Sequence, residues 1–233
     1  MLPPFEHHAE VNAMLSQRYP DAEMFARACK KLSVPQRTGV LRAFITEGVP
    51  SAFEELPTLY EGIRGFLAAR LSVNPEDVTL VGSARLGYSL APPPSYGTPF
   101  SPNSDLDFAV VSSNLFQASA QVFAQWKADV AAGREITRNA REERFWTDNL
   151  KRVPLNIERG FIDANKVPNR YELSMKVGQT MWQVKDRLAR TPMAPQVRRA
   201  SLRIYRDWSA LFRQQLLSLR AAISGFPADE ASK

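Results

Sequence analysis

Two short stretches hold the residue types best able to do chemistry together: Val81-Gly82-Ser83-Ala84-Arg85 and Ser104-Asp105-Leu106-Asp107. In an extended strand side chains alternate faces, so Asp105 and Asp107 point one way while Leu106, Phe108 and Val110 point the other. The two aspartate α-carbons then lie two residues' rise apart, about 7 Å. A carboxylate pair at that spacing, on a strand anchored by its apolar face, makes a clamp for a divalent cation. Magnesium takes oxygen ligands and is usually held by one or two carboxylates together with phosphate oxygens. The Gly82-Ser83 pair supplies the complementary half. Glycine lets the backbone approach a ligand closely, and a turn opening a short helix aims N–H groups outward, with the serine hydroxyl as an extra donor. Arg85 suits either a charge-assisted contact to phosphate or an ion pair with an aspartate.

Local patterns indicate the elements that must position these groups. The first 75 residues read as helices: Val40, Leu41, Phe44 and Ile45 share one face after Pro35, and the segment closes at Gly48 and Pro50. Ser51-Ala-Phe-Glu54 has capping-box spacing ahead of Leu56, Leu59, Tyr60, Ile63, Phe66, Leu67 and Leu71, which recur at helical intervals. Turn chemistry at 74–77 precedes a short β-branched run at 78–81 that ends at Gly82. Residues 91–102 contain five prolines in twelve and form a loop. Residues 106–111 read as a buried strand, 115–132 and 135–150 as helices, and 155–162 as a further strand. Helices follow over 171–190 and 196–224, the last placing an apolar stripe from Val197 through Trp208 to Ile223 opposite a set of arginines.

Glycine-serine after a strand, followed by Ser-Asp-x-Asp at the start of the next strand, resembles the nucleotidyltransferase superfamily typified by DNA polymerase beta. The resemblance covers residues 78–112 closely and the helical flanks in outline. It implies an α+β fold: a small mixed β-sheet nucleotidyltransferase core over 76–165, an N-terminal helical segment over 1–75, a basic C-terminal helical region over 166–226 and a disordered tail over 227–233. It also implies that Gly82 and Ser83 form the phosphate turn, that Asp105 and Asp107 bind Mg²⁺ or Mn²⁺, and that Ser104 is the conventional leading residue. Arg85 would join Ser83 on the β- and γ-phosphates. A third carboxylate on a neighbouring strand is then required, and no apolar-acid-apolar triplet marks it. Glu158 is the first choice and Asp163 the second. The gap from Ser83 to Asp105 exceeds the minimal family spacing, and the surplus is the proline-rich loop, an insertion of low thermodynamic cost.

The implied reaction is in-line attack by an acceptor hydroxyl on the α-phosphorus of a nucleoside triphosphate, with pyrophosphate leaving. The acceptor would be RNA such as a tRNA end, a nucleotide, or a protein. Small members of the superfamily also act as bacterial toxins or in antiviral defence, where a neighbouring defence or antitoxin protein is a partner. The alternative is a catalytically silent module that binds nucleotide, nucleic acid or a partner protein.

Composition narrows the class without choosing among these roles. The 233 residues are 44% hydrophobic with a net charge of +6, enough for a packed core and unlike a disordered chain. Charge is uneven: residues 1–120 carry 9 basic and 12 acidic side chains, and residues 121–233 carry 21 and 12. A basic second half suits a polyanionic partner. A single cysteine, Cys29, excludes an internal disulfide framework and reads as a packed small hydrophobe. His7 and His8 have no acidic cluster with which to hold a metal. Trp126, Trp146, Trp182 and Trp208 fall at helical positions and read as core. No run of about 18 apolar residues and no signal-peptide pattern is present, so the expectation is a cytoplasmic protein without a membrane partner.

Overall fold

The computed structural model describes His7 and residues 9–224; His8 and the 227–233 tail lie outside the described residues. Among these the elements run α1 (Ala9–Leu15), α2 (Ala22–Lys31), α3 (Val34–Thr46), α4 (Pro57–Leu71), β1 (Val78–Val81), α5 (Ser83–Leu86), β2 (Asp105–Val111), α6 (Ser113–Ala131), α7 (Ala140–Glu158), β3 (Phe161–Asp163), α8 (Glu172–Arg190), β4 (Arg199–Tyr205) and α9 (Trp208–Ser224). The fold is α+β, a small mixed sheet flanked by helices. No helix among the described residues is long and apolar enough to cross a membrane.

Helix starts follow from local chemistry. Asp21 accepts from the N–H groups of Glu23 and Met24 at 2.8 and 3.2 Å, and Asn139 accepts from Glu142 N–H at 3.0 Å, each satisfying orphan donors of a first turn. The expected capping box at Ser51–Glu54 does not open a helix. Ser51–Phe53 is a single 3-10 turn, and α4 begins at Pro57, whose fixed φ suits a first helical position.

Strand order is β1-β2-β4-β3, with β1 antiparallel and β4 parallel to β2, and β3 antiparallel to β4. The sheet differs from the sequence expectation at two places. Residues 199–205, expected to lie in a helix over 196–224, form β4 in the middle of the sheet; Ala200, Leu202 and Ile204 alternate with Arg199, Ser201 and Arg203, the period of a strand. Residues 155–158, expected as strand, continue α7, because Trp146, Leu150, Val153 and Ile157 keep the helical period through Pro154 and pack with Phe123 and Trp126. The chain turns at Gly160, where φ is +88° and an added Cβ would lie 2.8 Å from Ala210 Cβ, so only glycine lets α9 pass this close.

One sheet face is wholly apolar. Leu106, Phe108 and Val110 of β2, with Ala200, Leu202 and Ile204 of β4, are buried under α4 and α8. The opposite face changes character along its length. Ala109, Val111, Tyr205 and Phe161 are buried against α9 and the N-terminal helices, whereas Asp105, Asp107, Ser201, Arg203 and Asp163 stand beyond that seal. Cys29 lies inside it, and burial pushes its thiol up to about 12, an inert packed group as expected.

Candidate active site

The strand β1 ends at Val81, opposite Asp107 in the register, so the following turn meets the carboxylates directly. Gly82 makes that turn with φ +70° and ψ −154°, a backbone state nearly confined to glycine. A Cβ built there would lie 3.5 Å from Asp107 Oδ2, so the turn and the carboxylate are neighbours. Ser83 follows at the start of the four-residue α5.

A cleft of about 630 Å³ opens above this point. Its sheet wall is Asp107, Ser201, Arg203 and Asp163; its other walls are the Gly82-Ser83 turn, residues 89–92, and the Gln214, Gln215 and Ser218 side of α9. Ser201 Oγ donates to Asp107 Oδ1 at 2.6 Å, and Arg203 Nε donates to Asp163 Oδ1 at 2.6 Å. Burial pulls the Arg203 guanidinium down, but Tyr205 and Asp163 outweigh it, so the side chain is held firmly charged.

Five of the expected site residues occupy distinct positions. Gly82, Ser83 and Asp107 converge on the cleft. Asp105, one step outside it, is held in a fork by Arg198 at 3.0 and 3.2 Å and by Arg199 at 2.7 Å. Burial raises its carboxyl, yet the two guanidinium groups win and hold it below the ordinary carboxylate range. Ser104 turns away from the cleft: its hydroxyl accepts from Ser101 N–H at 3.1 Å, and its carbonyl accepts from Arg198 N–H at 2.9 Å, fixing the approach to β2.

Two expectations need correction. Arg85 is buried, 4% exposed, and donates to the carbonyls of Phe44, Glu47 and Gly48, with 3.0 Å to the last. It closes the carbonyl end of α3 that would otherwise lack donors, and it is absent from the cleft wall. Glu158 ends α7 as an exposed residue outside the cleft. Asp163, the second choice, does line the cleft, but from β3, two strands and about 10 Å across from β2. The strand beside β2 is β4, whose residues opposite Asp105 and Asp107 are Arg199 and Ser201 rather than acids.

The loop over 91–102 does not cover the cleft. Tyr96 donates to Ala22 O at 2.8 Å and packs on Tyr88, pinning the loop to α2, and only its first residues form wall. Sequence reasoning missed Ser201 and Arg203, for which the period-2 alternation over 199–204 was the available signal. Comparison with protein-family models, with curated proteins and with solved structures returned no match.

The donor set has room for one magnesium of the kind the resemblance implies. Asp107 with Asp105 offers two carboxylates on one strand face, which fits a single Mg²⁺ completed by phosphate oxygens and water. The arginines on Asp105 are mostly exposed, 68% and 57%, so their bridges are screened by solvent and exchangeable. A second metal lacks its ligand on β4, and no group of three or more metal-binding side chains stands together among the described residues.

Proposed function

We propose that the chain is a nucleotidyltransferase that takes a nucleoside triphosphate in the cleft and passes its nucleoside monophosphate to an acceptor hydroxyl. The observation that carries this reading is the convergence of the Gly82-Ser83 turn, Asp107 of β2 and Asp163 of β3 on one cleft. Asp107 and Asp105 would hold one Mg²⁺ or Mn²⁺, whose part is to neutralise the triphosphate charge and polarise the α-phosphoryl group. The Gly82 turn gives the phosphates access to backbone, with the Ser83 hydroxyl as a donor. The acceptor oxygen attacks the α-phosphorus, the bond to the β-phosphate bridging oxygen breaks, pyrophosphate leaves, and the acceptor proton passes to the cleft carboxylate Asp163. Arg203 fixes that carboxylate's orientation.

A second reading is favoured by one specific observation, the pairing of Asp105 with two arginines beside a strand without acids. In it the module binds nucleotide or a partner and transfers nothing. Pyrophosphate release and label transfer from each α-labelled nucleoside triphosphate, with Mg²⁺ or Mn²⁺ and total RNA, separate the two. Label moved by the wild type and lost in Asp107→Ala supports transfer and names the acceptor class. Nucleotide binding with no release under any condition supports the silent module.

A further inference from the structure

A groove of about 970 Å³, larger than the cleft, runs between α7, α8 and the first half of β4, where β3 pairs only with Arg203–Tyr205 and leaves residues 199–202 as its floor. Its walls carry Arg138, Arg170, Lys185, Arg198 and Arg199 against one carboxylate, Glu142, which Arg170 already holds at 3.1 Å. Trp182, expected in the core, is instead 65% exposed on this wall, and Phe145 beside it is 40% exposed. The reason is its place on α8: Met181 and Val184 take the buried stripe, and Trp182 falls outside it. Ser201 lines both groove and cleft, so the two share a wall at β4.

We propose that the groove binds a single-stranded nucleic acid, and that the bound strand draws Arg198 and Arg199 off Asp105. The first half stands on charge complementarity and an exposed indole; the second rests on the reading that Asp105 and Asp107 hold the metal. Cations spaced along a groove take successive phosphates, and a bare aromatic face takes an unstacked base, which a duplex does not offer. Arg198 and Arg199 are shared between two anions. In the free protein Asp105 occupies them; phosphates in the groove compete for them and leave Asp105 open to a cation.

The test titrates the full chain with short oligouridylate, oligothymidylate and heparin over a range of KCl concentrations. Log affinity for the oligonucleotides should fall against log salt with a slope of about −3, four contacts on a single strand. Trp182→Ala should weaken them about tenfold and leave heparin unchanged. Tighter oligouridylate assigns RNA, and tighter oligothymidylate assigns DNA. Heparin binding as tightly, with Trp182→Ala without effect, overturns the site in favour of a non-specific basic face. For the coupling, Mn²⁺ alone is titrated by electron paramagnetic resonance. The Arg198→Ala, Arg199→Ala double variant should bind it several-fold tighter without oligonucleotide, the wild type only with it, and Asp105→Asn should abolish the difference. Oligonucleotide bound with unchanged Mn²⁺ affinity overturns the coupling and spares the groove. No Mn²⁺ bound by any variant overturns the coupling together with the metal reading.

Discussion

At one end of the face that α9 covers, Ala109, Val111, Tyr205 and Phe161 are buried with Leu211, Phe212 and Leu219 in a continuous apolar core. At the other end of the same strands, Asp105, Asp107, Ser201, Arg203 and Asp163 line or border an open cleft. The strands and register are shared, so backbone geometry does not distinguish the ends; side-chain polarity and the helix residues above them do. Over the apolar end α9 presents Leu211 and Phe212, and over the polar end Gln214, Gln215 and Ser218. A sheet can therefore be sealed and stabilised by one side of a helix while another side of the same helix borders charged groups that stay hydrated. The ion pairs of Asp105 with the exposed Arg198 and Arg199 add little stability, so substitution there should cost function and spare the fold.

The sharpest test is Asp107→Ala. Transfer or metal-dependent nucleotide binding should fall by about 100-fold or more, since even supporting partners of a metal ligand are worth about 10–100-fold. Its denaturation midpoint should stay near that of the wild type, and a large loss of stability would break the contrast between the ends. Arg85→Ala should do the reverse. Removing a buried guanidinium leaves carbonyls at the end of α3 without a donor, which should cost about 3 kcal/mol in urea unfolding, with nucleotide affinity of the folded protein unchanged. An affinity loss without destabilisation would return Arg85 to the site.

Gly82→Ala is intermediate. It forces a side chain into φ +70°, for a cost of about 1–3 kcal/mol, and should weaken nucleotide binding as well, because the turn touches both strand and cleft. Smallest is a pH effect at Asp105. Its folded carboxyl lies below its unfolded value of 3.8, so its bridges to Arg198 and Arg199 contribute above that pH and fade as the pH falls through the lower folded value. Asp105→Asn should be slightly less stable than wild type at neutral pH and equal to it in strong acid, as read from unfolding curves across the acid range. A difference that persists in strong acid would place the effect in packing rather than charge.

Much of the site's first half was legible in the sequence. Alternation in Asp105-Leu-Asp-Phe puts both carboxylates on one face whatever the partners, and Gly82 marks a turn only glycine makes easily. The prolines of 91–102 exclude regular structure by missing N–H groups. Local chemistry determined these features because each depends on neighbours within a few residues. The rest depended on pairing across long separations. Residues 199–205 carry both a strand's alternation and the start of a helical stripe, and only their pairing with β2, some 94 positions earlier in the chain, decides between them. That pairing puts Arg199 and Ser201, not acids, beside Asp105 and Asp107, and it makes Asp163 rather than Glu158 the carboxylate that reaches the cleft. Arg85 shows the same division. Its charge and its place after the turn are written in the sequence, but the carbonyls of Phe44, Glu47 and Gly48 that claim it arrive only when α3 folds against α5, and a buried guanidinium goes to the nearest unsatisfied acceptors.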